Sequence, residues 1–268
     1  MHSMNNNELL SAANKKIKQL QGYNRSSKKR REAGVFVAEG IRLCREVPDE
    51  YLTEVYLTPD LEGEADALKA PYFLVDGAVF SKISDTQTPQ GILALCSRPE
   101  YRFEDILGDG TRPPLVVVLE DIQDPGNLGT IMRASEAAGV TGVIMSRGCA
   151  DIFSPKAVRA TMGSIFRVPF IVTEDIGASI SELREKGVTV YAAHLQGSED
   201  YAKLNFKKPS AFLIGNEGNG LKDETAALAD KRLFIPMEGQ IESLNAGVAT
   251  AVLVYEAHRQ RSVGNGKL

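Results

Sequence analysis

The chain has 268 residues, 43% of them hydrophobic and 25% charged, with a formal net charge of −4. That length and apolar content suffice for one large domain or two ordinary ones, and no apolar run is long enough to span a bilayer. The acidic balance argues against coating nucleic acid by bulk electrostatics, and the opening "MHSMNNNELLSAANKK" lacks the hydrophobic segment of a signal peptide, so a soluble, cytoplasmic protein is expected.

In chain order, residues 8 to 22 read as a helix. Across its end runs "KKIKQLQGYNRSSKKRR", Lys15 to Arg31, with eight cations and no acid. A solvated helix face and a phosphate-tracking surface are both consistent with that run. Tyr23, Asn24 and Arg25 inside it suit stacking and hydrogen bonding to RNA, and Lys28, Lys29, Arg30 and Arg31 are the candidate RNA contacts. "GVFVAEG" reads as a strand entering a helix, "LTEVYLT" as a second strand, and "GILALC", Gly91 to Cys96, closes a small α/β unit. "SRPEYRFEDILGDGTRPP", Ser97 to Pro114, has no sustained period and marks a boundary. The domains are therefore set at 1–97, a linker at 98–113, and 114–268. Cys44, Cys96 and Cys149 have neither metal-ligand nor disulfide spacing and read as inert core thiols, so no metal site is expected.

Beyond the linker, strands and helices alternate. Leu115 to Leu119 leads to a helix ending at Ala138, Gly142 to Ser146 to a helix from Pro155, and Val168 to Val172 to a helix from Ala178. Further strands follow at Val188 to Ala192, Ala211 to Ile214 and Leu233 to Ile235. The pattern predicts a parallel sheet covered by helices, with Ser154 capping the helix that starts at Pro155.

Three loops at the carboxyl ends of these strands are candidates for chemistry. In "LVVVLEDIQDPGNLGTIMRASEAAG", Leu115 to Gly139, the glycines Gly126 and Gly129 resemble a dinucleotide loop, but Pro125 removes an amide and the G-x-G pair is missing. The second loop is "LIGNEGNGL", Leu213 to Leu221. The third is "IPMEGQIESLNAGVATAVL", which opens a long apolar helix. Each alone is consistent with a plain turn, a cap or a surface arginine. What stands out is the ordered occurrence of N-x-G-x-x-x-R, L-I-G-N-E-G-x-G-L and I-P-M-x-G-x-x-x-S-L-N.

Those three segments closely resemble the sequence motifs of the SpoU (TrmH-type) family of RNA ribose methyltransferases, within the SPOUT superfamily. "SPKAVRATMGSIFRVP", Ser154 to Pro169, is similar to a family segment between the first two motifs. The first hundred residues, with "VFVAEGIRLCREV" and "TPQGILAL", resemble the family's ribosomal-protein-like RNA-binding domain. The resemblance implies an α/β fold, with a C-terminal parallel-sheet SPOUT domain tied in a deep trefoil knot, one of the rare exceptions to unknotted topology, preceded by a small α/β RNA-binding domain. It implies methyl transfer from S-adenosylmethionine to a ribose 2′-hydroxyl by a homodimer, more in keeping with ribosomal than with transfer RNA.

By the same resemblance, the catalytic set is Arg133, Asn127, Glu217, Ser243 and Asn245. Asn127 would orient Arg133 or the ribose, and the arginine would act within its own subunit or across the dimer interface. A guanidinium stays protonated, so Arg133 is expected to act by charge, gripping phosphate and stabilising a developing alkoxide. Gly215, Ile235, Met237, Leu244 and Asn245 are the implied cofactor contacts. One departure stands out: relatives often read S-L-N-V-S where this chain has "SLNAG", with Ala246 and Gly247. Two other readings remain at this point. One is an RNA-binding ribosome-assembly factor without catalysis. The other is an NADP-dependent reductase using Ser146 and Arg147 after the second strand.

Overall fold

The computed structural model describes residues 9–194 and 199–262. The first elements along the chain are α1 (Lys15–Arg25), α2 (Ser27–Ala33), β1 (Val35–Glu39), α3 (Ile41–Arg45), β2 (Leu52–Leu57), β3 (Tyr72–Leu74), α4 (Gly77–Ile83) and β4 (Ile92–Ser97). Then come α5 (Phe103–Ile106), β5 (Leu115–Leu119), α6 (Pro125–Ala138), β6 (Gly142–Ser146), α7 (Pro155–Thr161), β7 (Phe170–Thr173) and α8 (Ile176–Glu185). The chain closes with β8 (Thr189–Ala193), β9 (Glu199–Asp200), β10 (Ser210–Ile214), α9 (Asp223–Ala227), β11 (Lys231–Phe234) and α10 (Ala246–Ser262). No helix of the described residues is long and apolar enough to cross a membrane.

Two compact units form: Met1–Pro99 with Asp151–Phe166, and Glu100–Ala150 with Arg167–Leu268. The first carries a mixed four-stranded sheet, order β1-β4-β2-β3. The helix expected over 8–22 starts at Lys15, because Asn14 accepts a hydrogen bond from the Lys16 amide and caps it. Residue 8 lies outside the described residues. Ile17 and Leu20 of α1 are buried with Val37, Tyr56 and Phe80. The segment 151–166, grouped by its sequence pattern with the C-terminal domain, packs in this first unit. The rings of Phe153 and Phe166 lie 5.1 and 5.7 Å from that of Phe36, the Arg98 guanidinium sits 4.1 Å from the centre of the Phe153 ring, and Arg159 pairs with Asp85 at 2.9 Å. Ser154 caps α7 as expected, its oxygen 3.4 Å from the Ala157 amide.

The second unit is a seven-stranded sheet, order β7-β6-β5-β10-β8-β11-β9, in which every pairing is parallel. All five residues of β5 and all five of β10 are buried, as central strands covered on both faces require. Val116, Val118, Ile144, Val190 and Leu213 share one core with Ile180 and Leu183 of α8. The stretch expected as a linker at 98–113 is part of this unit from Glu100 on: Ile106 of α5 is fully buried, and its carbonyl accepts from the Thr141 hydroxyl at 2.8 Å. From β5 the chain runs outward through β6 to β7, then returns to the other side, where β10 is inserted against β5. That reversal places a crevice at the carboxyl ends of β5 and β10, where open α/β sheets bind their ligands.

Because Phe153, Ile165 and Phe166 are covered within the first unit, deleting residues 1–99 strips their cover. The fragment 100–268 should bind a hydrophobic dye such as ANS and melt below the full chain. A fragment with no dye binding and an unchanged melting temperature would contradict this packing.

Candidate functional site

The first loop is built on a well-started helix. Asp124 accepts from the Asn127 amide at 2.9 Å and Pro125 takes the first helical position, so α6 begins inside "DPGNLG". Gly126 and Gly129 therefore lie within a helix rather than in a phosphate loop. The reductase reading fails further on, since Ser146 is bonded to Asp121 at 2.7 Å and Arg147 is paired with Glu174.

The second loop folds back on itself through paired backbone bonds between Asn216 and Gly220, at 3.0 and 2.9 Å. A side chain at Gly215 is excluded, because its Cβ would lie 2.1 Å from the Gly220 carbonyl carbon and the Leu221 nitrogen. In the third loop, Asn245 caps α10, its Oδ1 accepting from the amides of Gly247 at 2.9 Å and Val248 at 3.3 Å. Ser243, two residues before Asn245, is exposed at the cleft and has no hydrogen bond among the described residues. Gly247 is confined as well: an added Cβ would approach Asn245 Oδ1 and Thr130 Cγ2 to 3.2 Å. The absence of a side chain at Gly247 thus lets α10 start close to α6.

One side chain joins the three loops. Asn127 Nδ2 donates to Glu217 Oε1 at 2.9 Å, and Asn127 Oδ1 accepts from Asn245 Nδ2 at 2.9 Å. Glu217 also accepts from the backbone amides of Gln123 (3.1 Å) and Asp124 (3.2 Å). Partial burial pushes its carboxyl up, but the donors from Asn127 and the two amides outweigh that and hold it below the ordinary glutamate value. The sequence did not disclose the two amides; the signal was present only in their position, just before a capped helix.

Beside this chain lies a cleft of about 410 Å³. Gly215, Ile235, Met237 and Leu244 line it, with Ser243 and His194. Its size and its mix of apolar side chains and loop backbone suit a small molecule with an apolar ring and polar edges.

Arg133 stands apart. It is exposed and makes no hydrogen bond or ion pair among the described residues. Six residues of helix put it about 120° around and roughly 9 Å along α6 from Asn127, and both functional groups of the Asn127 amide are already engaged. Asn127 therefore does not orient Arg133 within this chain. In the basic run, Lys28, Lys29 and Arg31 are exposed. Arg30 is not available to phosphate: it is buried, paired with Asp151 and bonded to the Tyr23 carbonyl.

The SpoU rRNA Methylase family model matches residues 114–255, and the MRM3-like substrate binding domain matches residues 14–94. The 23S rRNA (guanosine(2553)-2′-O)-methyltransferase RlmP of Bacillus subtilis is 34% identical over 256 residues, 92% of this chain and 98% of the relative. The 23S rRNA (guanosine-2′-O-)-methyltransferase RlmB of Ralstonia nicotianae is 34% identical over 206 residues, 76% of this chain and 83% of that protein. The crystal structure of an S-adenosylmethionine-bound rRNA methyltransferase from Sinorhizobium meliloti superposes with a TM-score of 0.82 at 34% identity, covering 94% of this chain and 97% of its own.

Substituting Asn127→Asp tests the three-loop chain, because it sets two carboxylates about one hydrogen bond apart. At pH 7 the variant should melt about 2–4 °C lower, as expected for a loss of about 1 kcal/mol. The wild-type Glu217 bonds are complete above the ordinary glutamate pKa and are lost as pH falls through its depressed folded value. In the variant one carboxyl takes up a proton at higher pH, so its deficit should shrink as pH falls toward about 5. A deficit independent of pH would contradict the arrangement.

Proposed function

Because the chain belongs to the SpoU rRNA methylase family, we propose that it transfers a methyl group from S-adenosylmethionine to a ribose 2′-hydroxyl of ribosomal RNA, in the cytoplasm. The observation that carries this reading is the junction of the three motif loops through Asn127 beside a cleft of suitable size.

When bound, S-adenosylmethionine supplies a methyl group already activated on a sulfonium. Ile235, Met237 and Leu244 would enclose its adenine, and the backbone beside Gly215, where no side chain intrudes, would read the polar edge. The 2′-hydroxyl is a weak nucleophile at neutral pH, so the protein's task is to align it and ease the loss of its proton. Ser243 offers a free hydroxyl to the ribose. Asn127, Glu217 and Asn245 hold the rim on which it is aligned. Arg133 would grip the neighbouring phosphate and stabilise negative charge growing on the ribose oxygen. As part of this proposal, the C-terminal segment threads the trefoil knot that the family resemblance implies.

Since Arg133 is not linked to Asn127 within its own chain, the reading includes a homodimer in which Arg133 serves the partner's cleft. Val248 and Tyr255, both about half exposed, lie seven residues apart on α10, which packs on α6. That spacing gives one helix face, and a second copy is proposed to cover it. In the first unit, Lys28, Lys29 and Arg31 are the proposed phosphate contacts, with Arg30 serving as internal structure.

Single-turnover methylation with saturating cofactor and RNA tests the reading. Arg133→Ala should lose on the order of a hundredfold to a thousandfold, and Arg133→Lys should retain part of the rate, both with near-normal cofactor affinity. Mixing Arg133→Ala with Glu217→Gln under subunit exchange should restore about a quarter of wild-type activity, because statistical heterodimers carry one intact composite site. No recovery would place Arg133 in its own subunit's site, and a normal rate in Arg133→Ala would remove it from the chemistry. Separately, changing Lys28, Lys29 and Arg31 together to Glu should weaken RNA binding and flatten its salt dependence. An unchanged salt slope would assign the RNA surface elsewhere.

A further inference from the structure

Just upstream of the bonds to Glu217 sits an unusual residue. Asp121 has φ of +55°, in the left-handed region that costs most residues energy and that Asp tolerates better than most. Five contacts hold it there. Its amide donates to Ser146 Oγ at 2.9 Å, and Ser146 Oγ donates to its Oδ1 at 2.7 Å. Its carbonyl accepts from Asn216 Nδ2 at 2.8 Å and from Gln123 Nε2 at 3.3 Å. Its Oδ2 lies 2.8 Å from the ammonium of Lys222. The carboxylate fits only because residue 148 is glycine: a Cβ there would lie 2.0 Å from Asp121 Oδ1.

Lys222 is the residue that immediately follows the second loop, and it is tied to the first loop three times. Its ammonium meets Asp121 at 2.8 Å and the buried Glu120 at 3.8 Å, and its amide donates to Glu120 at 2.9 Å. Asn216, near the other end of the second loop, is tied to the Asp121 carbonyl. Both ends of that loop thus close on Asp121 of the first.

We infer that Asp121 and Lys222 form a charged latch that fixes the second loop against the first, making both of them positioning residues for the Glu217–Asn127–Asn245 chain and the adjoining cleft wall. The inference rests on the methyl-transfer reading for its consequence in rate, but the latch itself does not. The turned backbone of Asp121 directs the amides two and three residues on, those of Gln123 and Asp124, to Glu217, and the Lys222 ion pair offsets the cost of that turn. Both residues lie off the cleft lining, so they act through the loops and not by touching the donor.

The test uses the full chain with Lys222→Met, Asp121→Asn, the double variant, Lys222→Arg and Gly148→Ala. Asparagine keeps the tolerance for positive φ and the bond to Ser146 while removing the charge, and Gly148→Ala leaves both charges in place but displaces the carboxylate. Hydrogen exchange of segments 121–127 and 215–221 is read without cofactor or RNA, followed by single-turnover methylation. Lys222→Met, Asp121→Asn and Gly148→Ala should each speed exchange in both segments and slow methylation by about tenfold. The double variant should be no worse than Lys222→Met alone, which already removes the Asp121 ion pair together with the contact to Glu120, and Lys222→Arg should restore most of the rate. Exchange and rate within about twofold of wild type in Lys222→Met, or losses that multiply in the double variant, would overturn the latch. If Asp121→Asn fails to fold, Gly148→Ala and the Lys222 pair decide. If wild type itself transfers no methyl group, the proposed reaction fails and the exchange arm still decides the latch.

Discussion

The site depends on one carboxamide. Asn127 gives a hydrogen to Glu217 and takes one from Asn245, so a single rigid group holds loops from the ends of β5, β10 and β11 in one arrangement. Among side chains of this length only asparagine does this while uncharged: aspartate has no hydrogen to give at neutral pH, and leucine has neither function. Its own position is secure because it lies in the first turn of α6, where Asp124 and Pro125 set the start of the helix. The network is therefore as precise as a helix terminus, although two of its three members sit on loops.

The rest of the unit serves that junction. The parallel sheet buries β5 and β10 side by side, and the reversal of strand order opens the crevice above them. Asn245 has two duties, capping α10 with its oxygen while its nitrogen reaches Asn127. Gly247 keeps the start of α10 close enough to Thr130 of α6 for that reach. Asp121, turned into a left-handed conformation and braced by Lys222, aims the amides that complete the shell of Glu217.

Much of this architecture was legible in the sequence because it is local. The apolar runs at Leu115–Leu119 and Gly142–Ser146 are the strands β5 and β6, and Ser154 before Pro155 caps α7. The three motifs, ordered along the chain, named Asn127, Glu217 and Asn245, which the fold brings within hydrogen-bonding distance. What was not legible is what depends on partners distant in sequence. Arg30 looks like its neighbours in a basic run, and only Asp151, far along the chain, makes it a buried structural cation. Segment 151–166 has the helical pattern of the C-terminal domain, yet its aromatic rings pack at a tilt against Phe36. Lys222 and Asp121 carry no motif, and their pairing arises only once the second loop closes. Ser243 and Asn245 are both good capping types two residues apart, and the start of α10 at Ala246 selects Asn245.

The most direct measurement of the central claim is mass-spectrometric mapping of ribose methylation in ribosomal RNA from cells with the gene, without it, and with Asn127→Asp in its place. The account predicts one 2′-O-methylated nucleotide that disappears with the gene and is strongly reduced by the substitution. An identical methylation map in all three would contradict it.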